Sequence, residues 1–163
     1  PQPEPEPEPE PQSQPKPQTQ SKPKSPSLAS RVNAFVKKYK GKKLDFDHIF
    51  GAQCMDLIKY FHRDVVGSGT QITAGGNGAA KNLWLNPTSE VTKYKRVSKR
   101  STPKKGDIAV WDGKPGATKS NVYGHVAIVL ADENGKLKAL TQNPGPTQVV
   151  YFQKGRLLGY LRP

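Results

Sequence analysis

The sequence predicts an α+β fold, with N-terminal helices packed on an antiparallel β-sheet that follows them in the chain. Apolar residues recur at helical spacing between Leu28 and Val65. From Thr102 onward the pattern changes to short β-prone runs separated by Gly, Asn, Asp and Pro. With 163 residues and 33% hydrophobic content, the chain has material for one core.

The first 26 residues contribute nothing to that core. They hold ten of the sixteen prolines, include the repeat Pro3-Glu4-Pro5-Glu6-Pro7-Glu8-Pro9-Glu10, and carry no aliphatic or aromatic side chain. Residues 1–26 are therefore expected to be an extended Pro/Glu-rich linker, reaching up to ~80 Å at about 3.1 Å per residue. Residues 27–163 form the expected folded domain.

Within it, Leu28, Val32, Phe35, Val36 and Tyr39 lie on one helical face, with Ser27 as N-cap and Gly41 as stop. A second helix is predicted from Cys54, Leu57, Ile58, Phe61 and Val65, ending at Gly67, and a third over residues 77–85, ended by Pro87. Strands are predicted over 108–111, 125–131, 137–141, 149–152 and 157–161. Asn134-Gly135 between two of these is a hairpin turn signal.

The net charge is +13, and residues 27–163 alone carry 23 basic and 9 acidic side chains, a net of +14. Such a field draws the domain to a polyanion, with attraction that weakens as salt rises. DNA, RNA, anionic lipid and a teichoic-acid-bearing wall all qualify. Nucleic acid is not expected as a partner: no nucleic-acid motif is present, and the basic residues are spread over helices, loops and strands. A merely soluble basic surface is the plainer alternative. No apolar run is long enough to insert in a membrane, and no signal-peptide pattern opens the chain. Its start at Pro1 is what an excised piece would show, and the isolated domain is expected to be a monomer.

Cys54 is the only cysteine, so neither an internal disulfide nor a cysteine-based zinc cluster can form. It opens the second predicted helix, and His125 opens a predicted strand. A free thiol near pKa 8.5 is a weak nucleophile at neutral pH, and a helix N-terminus or a neighbouring imidazolium would hold it as thiolate. Asn143 ends the strand expected beside that of His125, where an orienting group belongs. The plainer readings are an inert buried thiol and a satisfied histidine. His48 and His62 are weaker candidates, His62 being expected on the surface.

Asp45, Asp47 and Asp56 place three of the domain's nine acids within twelve positions. Three adjacent carboxylates repel unless a cation neutralises them, and an all-oxygen donor set favours Ca²⁺ over zinc. The alternative is that two are turn residues and the third complements a helix dipole. An EF-hand is excluded by the missing twelfth-position Glu.

Five blocks in order resemble one family: Asp45-Phe46-Asp47 with Gly51, Gln53-Cys54-Met55-Asp56-Leu57; Lys105-Gly106-Asp107-Ile108-Ala109-Val110-Trp111; Tyr123-Gly124-His125-Val126-Ala127-Ile128-Val129; Gln142-Asn143; and Gly159-Tyr160-Leu161-Arg162-Pro163. They resemble the CHAP family, the cysteine, histidine-dependent amidohydrolases/peptidases of phage lysins and bacterial autolysins, over about residues 28–163. The resemblance implies a papain-like (NlpC/P60-like) α+β fold. It implies Cys54 as nucleophile, His125 as general base and then acid, and Asn143 as orienter. Many phage members carry Glu two residues before that Asn, where this chain has Thr141. The Cys54 backbone N–H, helped by the Gln53 side chain, would form the oxyanion hole. Similar domains bind calcium through matching positions, here Asp45, Asp47, Asp56 and the carbonyls of Ile49 and Gly51, as a structural ion; no organic cofactor is implied. The implied function is cleavage of a peptidoglycan amide bond, by a phage tail protein, released lysin or secreted enzyme. An NlpC/P60-type peptidase and a non-catalytic basic wall-binding module are the alternatives.

Overall fold

The computed structural model describes residues 1–2 and 24–163, so nearly all of the expected linker lies outside the described residues. Helix α1 spans Leu28–Tyr39, with Ser27 accepting from the Ser30 N–H as its N-cap. It buries Val32, Phe35 and Tyr39. Helix α2 spans Cys54–Phe61 and passes directly into a π-helical turn, His62–Val66, stopped by Gly67 at φ 80°. That φ suits glycine, the residue without a Cβ penalty there. The third predicted helix is shorter than expected: α3 covers Asn82–Leu85, and a further short helix, α4, covers Ser89–Thr92.

Six strands form one antiparallel sheet: β1 Lys95–Ser98, β2 Ile108–Trp111, β3 His125–Glu133, β4 Lys136–Thr141, β5 Gln148–Phe152 and β6 Leu157–Arg162. Their order is β1-β6-β2-β3-β4-β5, which puts β3 near the middle and β1 at one edge. The β3–β4 hairpin turns on Asn134 and Gly135, both with positive φ, as the sequence signal requires. A fully buried Asp107 accepts two 2.8 Å bonds from the Arg162 guanidinium and so fastens β6 beside β2.

The sheet has two apolar faces. Val126, Ile128 and Leu140 pack with Phe35, Leu57, Ile58 and Phe61 of the helices. Ala127, Val129, Ala139, Trp111 and Tyr160 form a second cluster on the opposite face. Alternation along β3 thus decides which side each residue serves. The helix face draws α2 across β3 and brings the start of that helix to the start of that strand.

Candidate active site

Cys54 is the first residue of α2 and is half-buried, packed at the border of the helix-side core. Its position is braced from two sides. Gln53 and Asp56 make a capping box, with the Gln53 N–H donating to Asp56 Oδ2 at 2.8 Å. Gln142, wholly buried at the end of β4, donates from Nε2 to the carbonyls of Gln53 and Leu44 and accepts the Leu44 N–H. One amide therefore ties the loop before the thiol to the sheet. Sequence reading assigned Gln142 no role, although a polar side chain directly after an apolar strand was the signal.

The backbone N–H groups of Val126, Met55 and Cys54 lie near enough to the thiol to favour its charged form. Val126 follows His125, so the thiol lies against the strand at the residue adjoining the imidazole. Among the described residues no hydrogen bond joins the sulfur to the ring. His125 Nε2 is 2.8 Å from Thr141 Oγ1, and the ring packs edge-on against Phe152 and tilted to Trp111. Nδ1 has no hydrogen-bond partner among the described residues.

Asn143 does not take the orienting place expected for it. Its Nδ2 donates to Gln53 Oε1 at 3.1 Å, while Thr141 holds the ring. The reason is strand geometry: Thr141 is the last residue of β4 and shares the face of Ala139 and His125, whereas Asn143 has left the strand at φ 62°. The Gln53 side chain is also engaged, donating from Nε2 to the Phe50 carbonyl at 2.7 Å. Gly124 does not merely relieve crowding beside the imidazole: at φ 69° it approaches Trp111 O and Lys81 where a Cβ would collide.

Burial pushes the Cys54 thiol up to about 11, and the Asp56 charge adds to that, against the lowering by the three N–H donors. Burial likewise pulls His125 down to about 4. These surroundings favour a protonated thiol and a neutral imidazole, in place of the resting thiolate expected from the sequence. The ring itself packs with Trp111 and Phe152 and does not line the cleft at Cys54.

Cys54 opens on a cleft of about 990 Å³ lined also by Phe50, Gln53, Gly76, Gly78 and Tyr123. Phe50 (91% exposed) and Tyr123 (70%) stand free on its rim, so a long substrate can enter from solvent. Trp111 is fully buried and lines no groove. His62, expected on the surface, is buried between Tyr94 Oη (2.7 Å) and Glu90 Oε2 (3.2 Å). His48 is exposed in the acidic loop, its N–H donating to Asp45 Oδ1.

Asp45, Asp47 and Asp56 converge, each offering an oxygen within 4.8 Å of the others. Asp47 Oδ1 accepts the Ile49 N–H, and Asp56 Oδ1 the Phe46 N–H. Lys59 puts its ammonium on Asp47 Oδ2 and 3.7 Å from Asp56 Oδ1. That contact holds the Asp47 carboxyl below its ordinary range, while burial raises Asp56. The all-oxygen set fits a hard cation, and the lysine already answers part of the same charge.

A family model for the CHAP domain matches residues 43–143. Endolysin PlyTW of Staphylococcus phage Twort is 29% identical over 112 residues, 68% of this chain and 22% of that protein, so the chain spans 22% of the length of this relative. The crystal structure of endolysin LysIME-EF1 aligns at TM-score 0.64 and 24% identity, over 83% of this chain and 63% of that one. PlyC aligns at 0.61 and 14%, over 83% and 35%. At these identities the likeness to solved structures is one of fold, and that fold is the papain-like α+β arrangement expected. The matched segment runs from the acidic loop through Cys54 and His125 to Asn143, and the chain belongs to the CHAP domain family.

Proposed function

We propose that residues 27–163 form a catalytic domain that hydrolyses an amide bond of bacterial peptidoglycan through an acyl-enzyme on Cys54. The observation that carries this reading is the thiol at the first residue of α2, which packs on β3, the strand opened by His125, whose Nε2 is held by Thr141. The endolysin relatives point to the substrate.

In the proposed cycle His125 Nδ1 takes the thiol proton as the sulfur attacks the amide carbonyl carbon. The developing oxyanion is met by the backbone N–H of Cys54, at the positive end of α2. Collapse breaks the C–N bond, and the imidazolium gives its proton to the leaving amine. Water, deprotonated by the now neutral His125, attacks the thioester and releases the acid and the thiol. Thr141 keeps the ring in register, and Asn143 with Gln53 braces the loop beside the sulfur. Residues 1–26 act as the spacer that tethers this module to other domains.

The scissile bond is either the muramoyl–L-alanine amide or a peptide bond of the stem or cross-bridge. Mass spectrometry of digested cell walls tests the reading: new free amines matched to one cleavage position support it, and digests identical to buffer controls refute it.

Asp45, Asp47 and Asp56, with the Ile49 and Gly51 carbonyls, would hold Ca²⁺. When bound it supplies positive charge that ties the loop to the helix presenting Cys54. Binding at about 100 times Kd stabilises a fold by about 2.7 kcal/mol, which is about 9 °C in a domain of this size. EDTA is expected to lower Tm by that order and calcium to restore it. Lys59→Met, which removes the competing ammonium, is expected to tighten calcium binding in a titration. Unchanged melting in EDTA, with no calcium heat in either protein, would leave Lys59 as the sole counter-charge.

A further inference from the structure

We propose that the β1 edge and the turn after it form a binding site for a phosphodiester polymer of the cell wall, separate from the catalytic cleft. Residues 93–105 carry Lys93, Lys95, Arg96, Lys99, Arg100, Lys104 and Lys105, and no Asp or Glu. Elsewhere on the fold, seven of the other sixteen Lys and Arg side chains of residues 27–163 share ion pairs. Among the described residues eight of the nine carboxylates of residues 27–163 sit in ion pairs: Asp47 and Asp56 with Lys59, Asp64 with Arg63, Glu90 with Lys93, Asp107 with Arg162, Asp112 with Arg156, Asp132 with Lys154, and Glu133 with Lys138. Apart from Lys93, none of the seven strip cations shares in these pairs. Six of the seven strip cations are therefore unanswered by any carboxylate among the described residues, and they cluster at β1 and the turn after it.

The geometry suits a polymer. Strand β1 pairs with β6 alone, so its outer side faces solvent. Lys95, Arg96, Lys99, Arg100 and Lys104 are all exposed. Arg96 is fixed in place, its guanidinium 3.7 Å over the Trp84 ring and its Nη1 donating to the Trp84 carbonyl at 2.8 Å. A pre-positioned guanidinium loses little freedom when it meets a phosphate. The cluster at the end of α1, Lys37 to Lys43, differs in that Lys38 pairs with Asp64 and the acidic loop follows at once.

The chemistry of the strip narrows the polyanion. Nucleic acid binding without sequence preference uses exposed aromatics on which bases stack. Here Tyr94 is buried and Arg96 covers Trp84. Membrane binding uses apolar side chains beside the cations. Here Val97 and Pro103 are buried, and the strip exposes no apolar side chain. A chain of polyol phosphates, with neither bases nor acyl tails, asks only for spaced cations. Three strand spacings separate β1 from β3, roughly 14 Å, so a polymer held at the edge keeps the cleft close to the wall. The choice of a wall polymer as its source rests on the hydrolase reading.

The test is calorimetric titration of soluble poly(glycerol phosphate) into the full chain, into the variant Lys95→Gln/Lys99→Gln/Arg100→Gln/Lys104→Gln, and into the charge-matched Lys37→Gln/Lys40→Gln/Lys42→Gln/Lys43→Gln. The expected result is at least ~10-fold weaker binding for the strip variant, little change for the α1 variant, and at least ~10-fold loss for the parent between 50 and 200 mM salt. Both variants are expected to digest peptidoglycan stripped of phosphate polymer as the parent does. Absence of binding by the parent, equal weakening in both variants, or equally tight binding of homopolymeric RNA or phosphatidylglycerol vesicles would overturn the site. Failure of the parent on stripped peptidoglycan, with polymer binding intact, would count against the hydrolase reading alone.

Discussion

Replacing Cys54 by alanine is expected to abolish amide cleavage, lowering kcat/KM by at least about four orders of magnitude while the domain stays folded. The sulfur is the chain's one group able to form a thioester, and nothing on the neighbouring elements can replace it: Gln53 is engaged with Phe50 and Asn143, and Met55 is buried. Removing a single half-buried atom costs about 1 kcal/mol, because α2 is held by its capping box and by Gln142, neither of which uses the thiol. Circular dichroism and Tm should therefore be close to the parent's. Binding to intact walls should also survive, since the β1 edge lies three strands away from β3. Cleavage by the alanine variant at the parent's rate would end the acyl-enzyme account. Loss of folding would be resolved by Cys54→Ser, which keeps the shape and replaces the soft nucleophile with a much weaker one.

The elements that carry the chemistry were legible because they carry strong periodic signals. Helix α1 stands where Ser27, the apolar stripe and Gly41 placed it, and the five predicted strands match within about two residues. Strand β1 was missed because Lys-Arg-Val-Ser reads as a charged loop: only Val97 of its four residues is buried, and its partner β6 lies over sixty residues downstream. Helix α4 was missed for a related reason, since it is one turn long and owes its place to Glu90 reaching His62 and Ser68. Those tertiary bonds also explain why His62 is buried rather than exposed. Cys54, His125 and the three clustered aspartates were visible as outliers of residue type. The partner of the imidazole was not, because Thr141 and Asn143 would share one face of an unbroken strand, and only the structure shows that β4 ends at Thr141 and that Asn143 turns away at φ 62°. Sequence placed an amide near the ring, and the register of β4 gave that place to a hydroxyl two residues earlier.

Replacing His125 by asparagine is expected to lower kcat/KM by about 10³-fold, the usual range for loss of a positioned general base, and the pH profile should identify the ring as the titrating group. With the imidazole pulled down to about 4 by burial, the parent's kcat/KM should fall on an acid limb near pH 4 and stay level through neutrality. The sign for stability is the reverse of that for a salt-bridged histidine. The unfolded chain protonates this ring below about pH 6.5 while the folded chain leaves it neutral to about 4, so stability drains away as pH falls through that window. The loss amounts to about 3 kcal/mol, and His125→Asn should recover part of it at pH 4.5 while remaining inactive. Thr141 supplies the finer test. It can hold the ring but, being neutral, cannot stabilise an imidazolium as a carboxylate would. Thr141→Val should lower kcat about tenfold with KM unchanged, the worth of one neutral hydrogen bond, and Thr141→Ser should restore it. Thr141→Glu should move the acid limb upward from pH 4 by placing a negative charge at Nε2. If Asn143→Ala shifted that limb and Thr141→Glu did not, the ring would be oriented by the amide after all, and the hydroxyl at 2.8 Å would be a packing contact.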